Sequence, residues 1–420
     1  MFSTWGALTG LAIAVFLIVR KATPVYALVF SAVVGGLLGG GSLSGTVSAI
    51  ISGTQSMMPS VLRILSSGVL AGALVKTGSA ERIAESIVGM LGARFALAAV
   101  ALAAMTVTAV GVFVDIAVIT VAPVALAVGS RAGLPVPALL LAMVGGGKAG
   151  NVISPNPNTI AVADAFNVDL TALMAKNAVP ALCALAVAIV LSARLAKRGG
   201  GGNPQSACSA ACGGRSGDLP GMPAAVAGPC VVVALLGLRP LCGVAVDPLV
   251  ALPAGGLVSI AVCGRWRKTV ECCEFGLSKV SGVAVLLVGT GAVAGIVKNS
   301  GLNADMISLL NACRLPEFAL APLSGVLLSG ATASTTAGVT IASQTFSSAL
   351  VQAGVPVLSA AAMLHAGGTI FDALPHGSFF HATAGAVGMS VRERLKLFPY
   401  GTLVGATSTA MSVVAYLLGF

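Results

Sequence analysis

The sequence predicts an all-α polytopic membrane protein built as two inverted repeats, each carrying a re-entrant hairpin and a broken transmembrane helix. Three observations predict it. The chain of 420 residues is 57% hydrophobic and only 9% charged, with a mean hydropathy of +1.00, whereas soluble domains carry roughly a quarter of charged residues. Apolar runs long enough to span hydrocarbon recur from end to end. The same segments return in the same order in the second half, each half interrupted once by helix-breaking residues.

The first run, "WGALTGLAIAVFLIV", has no basic region before it and no small-residue cleavage site after it, so it reads as a retained first helix and not a signal peptide. Further spans are expected near 5–19, 25–40, 60–76, 137–168, 178–193, 224–238, 248–263, 280–297, 356–389 and 400–418, with 95–130 and 318–350 entering and leaving on one side. With the N-terminus outside, the cytoplasmic loops hold most basic residues, among them Arg20, Lys21, Lys76, Arg82, Arg194, Lys197, Arg265, Arg267, Lys268 and Arg394. The external loops keep only Lys176, Arg239, Lys298 and Arg314, which favours this threading over its reverse. The net charge of +10 is thus an insertion signal. Scattered over short loops, it forms no nucleic-acid footprint.

The two hairpins rest on an internal repeat. "GVLAGALVKTG", Gly68 to Gly78, matches "GAVAGIVKNSG", Gly291 to Gly301, and each is followed by a polar connector, "SAERIAESI" and "LNADMISLL". Further on, "GGGKAGNVISPN" is answered by "AGGTIFDALPH", with Gly147 to Pro155 spaced as Gly367 to Pro375. The expected organisation is N-terminal helices at 1–54, a first repeat at 55–198, a flexible cytoplasmic linker at 199–223, connecting helices at 224–274 and a second repeat at 275–420.

The segment "GGGKAGNVISPNPNT" could suggest a phosphate loop, but Ala142 stands where that motif needs its first glycine and Ala149 where it needs a hydroxyl. Irregular backbone at membrane depth is tolerated where protein or a watery cavity satisfies its N–H and C=O groups. Two matched breaks therefore mark a central binding site whose half-helix N-termini favour an anion. Lys148 is read as adding a full positive charge there, and Asn151, Ser154, Asn156 and Asn158 as lining it. Thr332, Ser334 and Thr335, in the uncharged "SGATASTTAGVTIAS", are candidates to bind a ligand's hydroxyls and carboxylate, or else only to join helices.

Of thirteen acidic residues, only Asp115 and Asp372 fall inside apolar surroundings and not at predicted loops or ends. An ionisable group there is expensive and a functional candidate. Asp372 lies four residues before His376, a carboxylate and imidazole suited to carrying a proton. Asp115 sits at the expected tip of the first hairpin, where a pair with Arg63 or Lys148 would be the structural alternative. His381 reads as a core or interfacial ring. The glycine pairs Gly68/Gly72 and Gly291/Gly295 read as close-packing positions. The nine cysteines have no metal spacing, so no metal, cofactor or disulfide framework is expected. No Ser–His–Asp order or H-E-x-x-H motif appears, which argues against an enzyme.

The order "GALVKTGSAERIA", "GVFVDIAVITVAP", "SPNPNTIAVADAFNVDL", "GIVKNSGL", "ATASTTAGVTIA" and "FDALPHGSFF" resembles the gluconate:proton symporter (gluconate permease) family, within the larger group of anion carriers. The most specific element is D-x-L-P-H, matched by Asp372, Leu374, Pro375 and His376. The resemblance covers most of the chain outside the central linker. It implies a secondary transporter of the cytoplasmic membrane that imports gluconate or a related small hydroxy-acid anion with H⁺, using Asp115, Asp372 and His376 for the proton. By analogy with the larger group it also implies an elevator-type homodimer, in which a hairpin-bearing body moves against a scaffold. Sodium coupling through backbone carbonyls at the breaks is the alternative.

Overall fold

Helix N-caps and glycine stops divide the chain into segments of unequal length, and that inequality is the basis of the architecture. The computed structural model describes residues 2–198, 219–302, 305, 308 and 316–420. Most of the expected linker, including Cys208 and Cys212, and most of the connector after Gly301 lie outside the described residues. All named elements among the described residues are helices. Five are long and apolar enough to cross a membrane: Met58–Lys76, Val114–Arg131, Ala178–Lys197, Met222–Arg239 and Trp266–Lys298.

The first half runs through Met58–Lys76, Ser79–Leu91, Ala96–Ala109, Val114–Arg131, Val136–Asn151, Pro157–Phe166, Leu170–Lys176 and Ala178–Lys197. The second half repeats the order from Thr269–Lys298, through Leu320–Thr332, Thr335–Gln352, Val357–Gly367, Ser378–Gly385 and Val391–Lys396 to Phe398–Leu417. The two opening helices run antiparallel. Lys76, at the end of one, pairs with Glu271 at the start of the other at 2.9 Å. Met57 and Ser60, at the opposite end, share a cavity with Lys298. The two halves are therefore inverted with respect to one another.

Both hairpins are re-entrant. A helix of 14 residues such as Ala96–Ala109 extends only about 21 Å at 1.5 Å per residue, short of a hydrocarbon core of about 30 Å. The chain then turns through Gly111, whose φ of 110° is open to glycine and strained for other residues. Val114–Arg131 is long enough to cross, yet it packs on Ser79–Leu91 and Ala93–Phe95, the elements that lead into the first arm, so it returns to the side it came from. In the second hairpin the turn is made by Ala333 in the left-handed region at φ 47°. Ser334 caps the returning helix by accepting from the Ala337 amide at 3.3 Å, and that helix ends at the cavity mouth with Val351 and Gln352.

Each hairpin's first arm lies backbone to backbone on the broken helix of its own half. A methyl group on Gly146 would meet the Ala101 carbonyl oxygen at 1.9 Å, and one on Gly367 the Pro322 carbonyl oxygen at 2.4 Å. The glycine run therefore does not break the helix, as the sequence suggested. Val136–Asn151 continues through Gly145, Gly146, Gly147 and Gly150, whose missing side chains admit Ala188, Ala101, Val114 and Met105. The break falls later, at 152–156, where Pro155 and Pro157 remove amide donors.

One element was not anticipated. Leu43–Gln55 falls between the spans expected at 25–40 and 60–76, its serines and threonines diluting its hydropathy. It packs on Thr269–Lys298, with Gly53 against Gly291 and Gly295. Gly68 and Gly72 do the same work against Gly276 and Cys272, the close-packing role their spacing suggested.

Candidate functional site

The first break is a closed polar knot. The Asn151 carboxamide oxygen accepts from Asn156 Nδ2 at 2.7 Å and from Asn158 Nδ2 at 2.9 Å. The Asn156 oxygen accepts from the Asn158 and Thr159 amides at 2.9 and 3.2 Å, capping Pro157–Phe166. Ser154 Oγ donates to the Thr108 carbonyl at 2.7 Å, tying the break to the first hairpin. All of these residues are buried. The knot uses up most of its own donors and acceptors, leaving Asn158 Oδ1 buried without a hydrogen-bond partner.

The second break sits on the tip of the second hairpin. Thr335 Oγ1 donates to Asp372 Oδ2 at 2.8 Å, and Gly377 abuts the Ala333 carbonyl so closely that a methyl group there would lie 2.3 Å from it. Thr332 Oγ1 donates to the Leu328 carbonyl at 2.8 Å within its own helix. His376 is exposed and turns to the Ala331 carbonyl, with Nε2 at 3.4 Å. It does not lie against the Asp372 carboxylate, as the four-residue spacing suggested, because the intervening chain is a turn and not a helix. His381 is exposed, with Nε2 at 2.8 Å from the Pro375 carbonyl.

Lys148 joins the two halves. Its Nζ donates to the carbonyls of Thr369 at 2.7 Å and Gly401 at 3.2 Å and lies 2.6 Å from Asp372 Oδ1, the two side chains being 2% and 6% exposed. Two hydrogen bonds to carbonyls and one ion pair thus hold the ammonium, and Asp372 Oδ1 meets it by charge without a hydrogen bond. The lysine was read as a full positive charge for a ligand; in this structure its charge is matched by Asp372 and two carbonyls accept from it. The deep pair is possible because the Thr369 carbonyl at the second break and the Gly401 carbonyl in helix Phe398–Leu417 replace water around the ammonium.

Asp115 lies in the first turn of its helix and makes no ion pair with another described residue. Its carboxylate faces the Ile116 amide and the field of Lys279. Neither suspected partner is its own: Lys148 belongs to Asp372, and Arg63 to Asp164 and Asp247.

Those last contacts lie in a feature that the sequence did not announce, a cavity of about 960 Å³ opening between the ends of the two halves. Arg63 bridges Asp164 on the half-helix Pro157–Phe166 to Asp247, holding the latter with Nη2 at 2.6 Å and Nε at 3.0 Å. Ile160, Gln344 and Thr345 also line it, whereas none of the residues of the two breaks named above does. Arg394 was missed as well. Placed by its charge in a cytoplasmic loop, it is one of the largest fully buried side chains.

The chain matches the model of the GntP family permeases over residues 4–419. It is 50% identical over 414 residues to an uncharacterized transporter of Haemophilus influenzae, covering 99% of this chain and 98% of the relative. A shorter match, 30% identical over 172 residues, covers 40% of this chain and 35% of an uncharacterized permease of the same organism. Among solved structures, the Alcanivorax borkumensis YdaH transporter, described as having an unusual topology, shares the fold with a TM-score of 0.65 over 90% of this chain and 89% of that one, at 18% identity. A family match over residues 4–419 and a half-identical transporter over nearly the whole chain agree: this chain belongs to the GntP family of permeases.

Proposed function

We infer that this permease is a proton symporter of the cytoplasmic membrane that imports gluconate or a related small hydroxy-carboxylate anion. The observation that carries the reading is the buried Lys148–Asp372 pair, which joins the last turns of the first broken helix to the second break. A proton on Asp372 removes the carboxylate's charge and leaves Lys148 with an unmatched one, which a substrate carboxylate then matches. An anion arriving at Lys148 in turn favours the protonated carboxyl. Proton and anion thus bind with mutual support, the thermodynamic requirement for symport.

In this reading the amide and hydroxyl groups of Asn151, Ser154, Asn156, Asn158, Thr332, Ser334 and Thr335 stand around the anion and its hydroxyls. Asp115 and His376 pass the proton between Asp372 and the two faces. Inverted repeats with hairpins fit an elevator-type cycle, in which the hairpins and broken helices move together against the remaining helices in each protomer of a homodimer.

The test is uptake of labelled gluconate, 3-hydroxybutyrate, glycerate and citrate into proteoliposomes under an imposed pH gradient, with and without sodium. Accumulation of a hydroxy acid driven by inward protons alone is expected. Accumulation that needs sodium and ignores pH would replace the carboxylate mechanism with ion binding at backbone carbonyls. Flux that never saturates would make the protein a channel.

A further inference from the structure

Arg394 comes from the short helix Val391–Lys396, whose other charged residues are exposed. Its side chain turns inward to helix Ser378–Gly385, which follows directly on the second break. Nε donates to Thr383 Oγ1 at 3.3 Å, and the guanidinium carbon stands 5.4 Å from the Phe380 ring centroid. Helix Ser378–Gly385 in turn packs on the first hairpin's returning arm and on the helix that carries Lys148. The residue is 2% exposed, yet Nη2 has no hydrogen-bond partner.

A buried guanidinium with an idle donor is costly unless an anion completes it. Asp372, whose field reaches Arg394, is already committed to Lys148 and Thr335. The other candidate groups do not serve: Glu393 is exposed and bonded to Ser390, Asp115 lies in the field of Lys279, and His376 and His381 face carbonyls. Two cations therefore share one carboxylate, and the region is one negative charge short.

We propose that Arg394 is the fixed cation of the anion site, its free guanidinium edge holding the substrate carboxylate while Lys148 is engaged by Asp372. The inference rests on the carboxylate reading above and adds a division of labour. Arg394 attracts the anion whatever the state of Asp372, and Lys148 supplies the proton-dependent increment. A guanidinium suits the first task because it is always charged and presents paired N–H groups to a carboxylate.

The experiment measures thermal stabilisation of the purified protein by gluconate, 3-hydroxybutyrate and glycerate at two pH values, for wild type, Arg394→Met, Arg394→Lys and Lys148→Met. In Arg394→Met the concentration giving half-maximal stabilisation should rise by more than about tenfold at both pH values. Its ligand-free melting temperature should stay or rise, since an unpaired buried charge has been replaced by an apolar chain. Arg394→Lys should fall between the two. Lys148→Met should lose the pH dependence and keep the weaker binding. Wild-type binding by Arg394→Met overturns the proposal and leaves the carboxylate reading standing. So does a lowered ligand-free melting temperature with ligand binding intact, the mark of a structural arginine. Failure of every carboxylate to stabilise the wild type overturns both.

Discussion

Replacing Lys148 by Met tests the central pair most sharply. The ammonium pairs with Asp372 Oδ1 at 2.6 Å and donates to the Thr369 and Gly401 carbonyls at 2.7 and 3.2 Å. Methionine fills the same space but leaves a carboxylate buried beside two idle carbonyls, at a cost of about 3–5 kcal/mol. Asp372→Asn is milder, because Lys148 keeps both carbonyls and the new amide oxygen can still accept from Thr335. Its cost should be about 1–3 kcal/mol. Removing both charges in Lys148→Met/Asp372→Leu should restore most of the loss, because a buried ion pair replaced whole by apolar groups is close to neutral. Unfolding by SDS titration of detergent-solubilised protein reads all three variants, with a thiol-reactive dye reporting exposure of the buried Cys272 in a background where the other cysteines are replaced by serine or alanine. A coupling of at least about 2 kcal/mol is expected. Strictly additive costs would refute the idea that the two charges depend on one another. In proteoliposomes, Asp372→Asn should exchange labelled for unlabelled substrate but fail to accumulate it; accumulation under a pH gradient would remove Asp372 from the proton path.

Other outcomes follow from the geometry. Arg63 holds the Asp247 carboxyl below the ordinary carboxylate range. The stabilisation from a depressed carboxylate is complete above its unfolded pKa of about 3.9 and is lost only as pH falls through the lower folded value. Asp247→Asn should therefore leave the shape of the uptake profile between about pH 5 and 8 unchanged, and a displaced profile would draw Asp247 into the coupling. Asn156→Ala should lower stability by about 1 kcal/mol for the lost helix cap and weaken substrate binding, both readable in one ligand-dependent melt. Gly146→Ala drives a methyl group to 1.9 Å from the Ala101 carbonyl oxygen and should cost about 1–3 kcal/mol. Gly89→Ala, with nothing within 4 Å, should be neutral or stabilising by about 0.5–1 kcal/mol; equal losses in both would show that the packing argument is misplaced.

Much of the fold was legible because a bilayer imposes one length scale and one rule about backbone polarity. The spans, the hairpin pairs and the order of breaks followed from apolar runs, turn residues and a repeat. What sequence could not resolve is the use made of small residues. A glycine run on a single chain has the same signature whether it kinks a helix or admits a neighbour, and only the facing backbones at Ala101 and Met105 decide between them. Leu43–Gln55 was hidden for a related reason, since its buried residues are Thr46 and Gly53, which carry little hydropathy signal. Charge was the weaker guide. It singled out Asp372 and Lys148, but not that they neutralise one another across the two halves. Asp164 passed as a helix end and Arg394 as a loop residue, because burial of a charged side chain depends on neighbours distant in sequence.

The glycine seams have a mechanical consequence. Where side chains interdigitate, two helices can slip from one set of grooves to the next; where carbonyl oxygens rest in glycine notches, a sideways step would drive them into larger neighbours. Leu43–Gln55, Met58–Lys76 and Thr269–Lys298 are fastened in this second way, through Gly53 and Gly291, Gly295, Gly68 and Gly276, and Gly72 and Cys272. These three helices form a chassis that cannot ratchet. The half-helix Pro157–Phe166 is joined to that chassis differently, through the Arg63–Asp164 ion pair, a bond of charge that has no such steric lock.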